Sequence, residues 1–310
     1  MRVLITGGAG FIGSNIADLC IEKGHQVAIL DNLSTGREHN VPKQAVFYNL
    51  DLNDDLNSLF TGFKPEAVIH QAAHASVSVS VREPAFDAKQ NVMGSINLLE
   101  AMKRHDVKRI VYASSGATYG EPKQLPLVED QAMEPISPYG VSKYVVEHYM
   151  RCYAHEFGFR CVALRYANVY GPRQDPFGEA GVVAIFTNKL LNGERPTIFG
   201  DGGCTRDYVY VGDVAAANVM SLEQNPEGPY PVVMNVSTNM KTSVNELYDL
   251  MCKAGNFELK ALYGPPRAGD VREALLDNSK IKRTLGWEPK MPLEEGLRRT
   301  IDSMRGKTLA

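Results

Sequence analysis

A phenol and an ammonium stand four residues apart in the segment Ser137-Pro138-Tyr139-Gly140-Val141-Ser142-Lys143. On a helix that spacing puts both side chains on one face. A neighbouring positive charge favours the phenolate, so Lys143 is expected to lower the Tyr139 pKa and make it a base near neutral pH. Taken alone, such a pair also fits an ordinary helix surface. Its neighbours add to it: Ser114 and Ser115 directly follow an apolar run of strand length, Arg109 to Ala113. Hydroxyls at the carboxyl edge of an open α/β sheet lie where such folds bind ligands. Ser115, Tyr139 and Lys143 together would hold an alcohol and take its proton.

Oxidising that alcohol also needs a hydride acceptor, and the N-terminus is built for one. Thr6-Gly7-Gly8-Ala9-Gly10-Phe11-Ile12-Gly13 follows the first predicted strand, Val3 to Ile5, and leads into a predicted helix, Gly13 to Gly24. Glycines at 7, 10 and 13 permit a tight turn, close backbone approach to a pyrophosphate, and close helix-to-strand packing. The pyrophosphate would lie on the helix N-terminus near Phe11 and Ile12, where free N–H groups and the macrodipole favour negative charge. Asp31 ends the next predicted strand, Gln26 to Leu30. A carboxylate there accepts hydrogen bonds from the adenosine ribose and repels a 2′-phosphate, which favours NAD over NADP. Arg37 keeps NADP open, or is a solvated loop charge. Asp51 and Leu52 would flank the adenine, with a helix-capping role for Asp51 as the competing reading.

The elements that must position these groups follow a βαβ pattern. Further strands are predicted at Ala45 to Tyr48, Ala67 to His70, Arg109 to Ala113 and Arg160 to Leu164, with helices near 84–105 and 137–157. Beyond about residue 170 the chain turns rich in Gly, Pro and charge. Short strands (Pro196 to Phe199, Tyr208 to Val211, Val232 to Val236) interleave there with short helices, up to a last helix from near Leu293. The expected architecture is α/β: a doubly wound parallel sheet of Rossmann type over residues 1–170, with a smaller α/β substrate-binding lobe over 171–310, some of whose segments return to the main sheet.

A chain of 310 residues, 44% apolar and 22% charged, is an ordinary globular one. Its net charge of -3 argues against nucleic acid or an anionic membrane surface as partner. No stretch approaches the ~20 apolar residues of a membrane span, and no charged leader precedes an apolar run. Five scattered cysteines, with no CxxC or His/Cys cluster, fit reduced thiols in a cytoplasm and no metal site.

With TGGAGFIGS, Ser115…Tyr139-x-x-x-Lys143 and NVMGSINLLE, the sequence resembles the extended short-chain dehydrogenase/reductase family. Further stretches (DNLSTG, HQAAHASVSVSVREP, RYANVYGPRQDP, GEAGVVAIF, RDYVYVGDV, PPRAGDVRE, LGWEP) make it similar to the UDP-glucose (UDP-galactose) 4-epimerases over nearly its whole length. The resemblance implies NAD held by Gly7, Gly10, Phe11, Ile12, Gly13, Asp31, Asn32, Ser34, Thr35, Gly36, Asp51, Leu52, Gln71, Ala72, Ala73, Tyr139 and Lys143. It implies a nucleotide-diphosphate sugar held by Ser76, Ser115, Tyr139, Asn168, Val183, Ile198, Phe199, Gly200, Arg206, Arg267, Asp270 and Ala274. Within that set Asn168 would contact the diphosphate, Ile198 to Gly200 would flank the uracil, and Arg206, Arg267 and Asp270 would hold phosphate and ribose.

Dehydratases of this family carry an Asp-Glu pair after the serine or threonine of the strand, to eliminate water. Here Gly116 and Ala117 stand there, and neither transfers a proton. Epimerisation at C4 through a 4-keto sugar needs only Tyr139, Ser115 and tightly held NAD. A 4-reductase, a decarboxylase, a uronate 4-epimerase and a non-catalytic NAD-binding protein remain open alternatives. The resemblance also implies a homodimer, joined through a four-helix bundle from 84–105 and 144–157, and a hexose pocket lined by Ala274, seven positions after Arg267. His74, after the fourth strand, is read as either a cofactor neighbour or a partly buried hydrogen-bonding residue.

Overall fold

The computed structural model describes residues 1–177, 181–266 and 271–306. Six runs of the first half form strands β1 (Arg2–Thr6), β2 (Gln26–Asp31), β3 (Val46–Asn49), β4 (Ala67–His70), β5 (Arg109–Ser115) and β6 (Arg160–Tyr166). Between them lie helices α1 (Phe11–Glu22), α2 (Asn57–Phe63), α3 (Val77–Arg82), α4 (Pro84–Asp87), α5 (Gly94–Arg104) and α6 (Pro138–Phe157). Later elements are mostly shorter: β7 (Asn168–Tyr170), β8 (Thr197–Phe199), β9 (Thr205–Arg206), β10 (Tyr208–Tyr210), β11 (Val232–Val236), β12 (Thr242–Ser243) and β13 (Leu262–Gly264). The helices among them are α7 (Val182–Leu191), α8 (Val211–Gln224), α9 (Val244–Gly255), α10 (Ser279–Leu285) and α11 (Leu293–Met304).

One parallel sheet runs in the order β3-β2-β1-β4-β5-β6-β11. The chain builds outward from β1 to β3, then jumps back to β4 on the other side. That reversal opens a crevice at the carboxyl ends of β1 and β4, where doubly wound sheets bind their ligands. Both faces of the sheet are covered, as the continuous apolar strands require. On one face Val3, Ile5 and Ile29 pack with Ile16 and Cys20 of α1 and Val214 of α8; on the other Leu4, Leu30 and Val68 pack with Leu98 and Met102 of α5 and Val146 and Met150 of α6.

The second half returns to this body through β11, paired with β6, and through α8, packed on α1. Three two-stranded pairs, β10 with β7, β12 with β9 and β13 with β8, surround a separate apolar cluster that includes Val183, Phe186, Ile198, Tyr208, Leu247 and Leu297. The helix expected over 84–105 is broken: α4 passes into a π-helical turn, Ala88–Met93, before α5. No helix among the described residues is long and apolar enough to cross a membrane. Among those residues no group of three or more His, Cys, Asp or Glu could hold a metal ion.

Candidate active site

The glycine turn closes at the head of the crevice. Gly7 sits at φ +66, donates its N–H to Leu30 O at 2.7 Å, and runs so close to the β4 loop that a Cβ would stand 2.6 Å from Ala72 N. A Cβ on Gly13 would meet Gly7 O at 2.2 Å, which lets α1 start directly against the turn. The helix opens on Gly10 with no side-chain cap and no acidic residue in its first turn. Its first N–H groups, at Phe11, Ile12 and Gly13, are therefore left without a side-chain cap among the described residues, which fits a pyrophosphate.

Asp31, buried at the end of β2, accepts from Ala9 N–H at 3.0 Å and from Leu33 N–H at 2.9 Å, with lone pairs left for a ribose diol. Asn32 donates to Asp51 at 2.7 Å, while Ser34 and Thr35 are exposed beside buried Gly36. Asp51 also accepts from Asn53 N–H at 2.8 Å, so it shapes a turn as well as facing Asn32. Leu52 is buried under Gly94 at the start of α5. After β4, Gln71 and Ala72 are pinned to Thr6, and the Gln71 amide donates to Tyr166 OH and Asn218 Oδ1, both at 3.1 Å. Ala73 follows in the same half-buried loop.

Helix α6 carries the phenol and the amine. Ser137 caps it by accepting Gly140 N–H at 3.1 Å, Pro138 takes its first position, and the Tyr139 N–H donates to Ser80 Oγ at 3.1 Å. Lys143, fully enclosed, donates to Ala113 O at 2.8 Å and lies 5.9 Å from the Tyr139 ring centroid. Ser115 accepts Ala117 N–H at 3.1 Å and is hydrogen-bonded to the Tyr139 hydroxyl. Ser114, by contrast, is used up on Glu147.

One expectation is corrected here. Burial pushes the Tyr139 phenol up to about 12; the Ser115 hydrogen bond pulls it down and Asp87 pushes it up, while Lys143 is not among the causes. The same burial brings the Lys143 amine down to about 7, against the pull of Asp87. Desolvation disfavours both charged forms, and it outweighs the attraction that the sequence spacing suggested.

On the substrate side, strand register links the candidates. Ser115 pairs with Tyr166, two residues before Asn168; Asn168 pairs with Tyr208 and donates its N–H to Asp207 O at 2.9 Å. Arg206 precedes Asp207, and the Ala274 N–H donates to Thr205 O at 3.2 Å. Phe199 is exposed and Gly200 turns at φ +69 beside Gly264, but the Ile198 side chain is buried in the lobe's core and leaves only its backbone for a base. Val183 is buried in the first turn of α7. Ser76 acts as the N-cap of α3, accepting Val79 N–H at 3.0 Å. Arg267 and Asp270 lie outside the described residues.

Residues 3–237 match the model of the NAD dependent epimerase/dehydratase family. The chain belongs to that family. It is 48% identical over 305 residues to a putative UDP-glucose 4-epimerase of Methanocaldococcus jannaschii, with 98% of each covered. Among solved structures it is similar to the UDP-glucose 4-epimerase of Thermotoga maritima with UDP-glucose, at TM-score 0.95 and 48% identity over 99% of each chain. It is also similar to the Thermus thermophilus UDP-glucose 4-epimerase in complex with NAD, at TM-score 0.92 and 44% identity over 99% of this chain and 100% of that one.

Two residues that position this epimerase/dehydratase site escape sequence reasoning. Asn91, buried in the π-helical turn, accepts His74 N–H at 2.7 Å and donates to His74 O at 3.0 Å, to Asp87 and to Ser142. It thereby ties the loop after β4 to α6. His74 itself packs edge-on against Phe86 at 5.1 Å, and its buried Nδ1 finds no hydrogen-bond partner among the described residues. Glu147 is the second, one helical turn beyond Lys143 and paired with buried Arg165. Its signal was present: Tyr139, Lys143 and Glu147 recur every four residues on one helix face.

Proposed function

We propose that this protein catalyses the NAD-dependent 4-epimerisation of a UDP-hexose, UDP-glucose and UDP-galactose foremost, through a 4-keto sugar. The observation that carries the reading is the meeting of Ser115, Tyr139 and Lys143 at the carboxyl edge of β5, followed by Gly116 and Ala117 where a dehydratase needs an acid and a base. When bound, NAD supplies the acceptor, and then the donor, for the hydride of C4. The chain does the rest. Tyr139 takes the proton of the sugar O4 during oxidation and returns it on reduction. Ser115 orients that oxygen, and Lys143 supports the phenol from below. Asn168 is assigned to the diphosphate, and Arg206, Arg267 and Asp270 to phosphate and ribose, where guanidinium groups bind phosphate oxygens bidentately.

Incubation of the purified protein with a panel of UDP-sugars, followed by chromatographic separation of C4 epimers, tests this. Interconversion without net consumption of NAD is expected. Stoichiometric use of NAD(P)H would indicate a 4-reductase, loss of carbon dioxide a decarboxylase, and no conversion across the panel a non-catalytic NAD-binding protein.

Two copies are proposed to pair through α5 and α6. Phe86, Met93, Val141, Tyr149 and Phe157 are exposed apolar side chains on or beside these helices. A groove of about 490 Å³ between α4 and α6, lined by Pro84, Ala88, Val92, Ile136, Pro138 and Val141, adds to that surface. An apolar area of this kind fits burial against a second copy. Five free cysteines, at 20, 152, 161, 204 and 252, agree with the cytoplasmic location we propose.

A further inference from the structure

Arg37 and Asp175, far apart in sequence, form an ion pair with Nη2 to Oδ2 at 2.9 Å. Arg37 belongs to the turn that wraps the adenosine end of the cofactor site. Its N–H donates to Ala9 O at 2.9 Å, and the N–H of Ala9 donates to the Asp31 carboxylate. Gly36, just before it, lies so close to Asp31 that a Cβ would stand 2.7 Å from Oδ1. The arginine therefore springs from beside the carboxylate that marks the ribose, within reach of a 2′-phosphate. It is drawn away from there. Asp175 sits in a loop fastened to α1 by Arg173 to Asp18 at 2.5 Å and by Asn15 Nδ2 to Pro172 O at 3.4 Å, and its second oxygen accepts Phe177 N–H at 2.9 Å.

We propose that Asp175 is a cofactor-specificity residue: by engaging Arg37 it withholds that guanidinium from a 2′-phosphate beside Asp31. Arginine binds phosphate bidentately wherever it is available, so an unpaired Arg37 would offset the repulsion from Asp31. The Arg37–Asp175 pair is exposed on both sides, so the charge at 175 biases the position of the guanidinium by a few-fold and does not lock it. This inference rests on the placing of the adenosine ribose at Asp31.

The test is competitive loading. The purified protein is incubated with equal NAD and NADP, free cofactor is removed, and the bound cofactor is released by denaturation and separated by chromatography. Asp175→Asn keeps an acceptor for Phe177 N–H but loses the charge. It should raise the NADP-to-NAD ratio by about twofold to fivefold, the scale of one exposed ion pair, with total loading unchanged. Adding Arg37→Ala to that variant should return the ratio to the starting value. An unchanged ratio in Asp175→Asn, or a gain that survives loss of Arg37, overturns the proposal. Asp31→Asn checks the reading beneath it: loss of NAD and a raised ratio are expected, and unchanged loading and ratio there would overturn the ribose placement, and the proposal with it.

Discussion

The Glu147 carboxylate receives the Arg165 guanidinium edge-on, Nε to Oε1 at 3.0 Å and Nη2 to Oε2 at 2.7 Å, and accepts a third hydrogen bond from Ser114 Oγ at 2.6 Å. Neither residue of the pair is more than 4% exposed. The three bonds fix α6 to β5 and β6 one turn beyond Lys143, so the pair positions α6 on the face that carries Tyr139 and Lys143. Glu147→Ala should cost roughly 3–5 kcal/mol in urea unfolding, because it leaves a buried guanidinium uncompensated. Replacing both partners by methionine should recover most of that loss. Equal destabilisation in the single and double variants would mean that the charge pairing is not its source.

How much of this site can be read in the sequence depends on how local its geometry is. Tyr139, Lys143 and Ser115 are legible because four residues on a helix and the end of a strand fix where side chains go. The glycine turn and Asp31 are legible for the same reason. Asn91 is not: a π-helical turn adds one residue to the hydrogen-bonded ring, and the amphipathic pattern of 84–105 absorbs it without a break. Nor is the pairing of Glu147 with Arg165, which depends on how α6 lies across β6. The failed expectation about the Tyr139 pKa has a similar root, since spacing shows the nearby amine but not the burial that acts against both groups.

Tyr139→Phe should lower turnover of UDP-glucose by about 10²–10⁴-fold, the range for removing a general acid–base group, because the ring is kept and only the proton acceptor is lost. Calorimetric binding of UDP-glucose should stay within a few-fold of the wild type. Activity close to that of the unaltered protein would remove Tyr139 from the role of base.

Lys143 gives the cofactor-free protein a pH signature. Its amine falls from 10.5 to about 7 on folding. Between those values the unfolded chain holds a proton that the native state lacks, so this residue's contribution to stability rises with pH across roughly 7 to 10 and is most unfavourable below 7. Lys143→Met abolishes that linkage. The variant's stability advantage over the wild type, measured by urea unfolding without cofactor, should therefore be largest at pH 6 and shrink towards pH 9.5. A pH-independent difference would show that the amine keeps an ordinary pKa when enclosed. The same variant should also lose bound NAD, since Lys143 is among the residues expected to hold it.

The last prediction concerns sugar size. The Ala274 N–H bonds to Thr205 O, which brings the smallest of chiral side chains alongside the strand that carries Arg206, and the residue is only half-buried. On the proposal that Ala274 lines the hexose pocket, a wall with no side chain beyond Cβ leaves room for the acetamido group of a 2-acetamido sugar, so the protein is expected to epimerise UDP-GlcNAc as well as UDP-glucose. Ala274→Tyr would fill that space. Overpacking typically costs ~1–3 kcal/mol, which corresponds to a loss of about 5-fold to 150-fold in kcat/KM for UDP-GlcNAc. The smaller hexose does not occupy the same volume, and its kcat/KM should change by no more than a few-fold. The two substrates measured side by side in wild type and variant decide the matter: equal loss on both, or no acetamido activity in the wild type, would leave Ala274 as a residue that only packs beside β9.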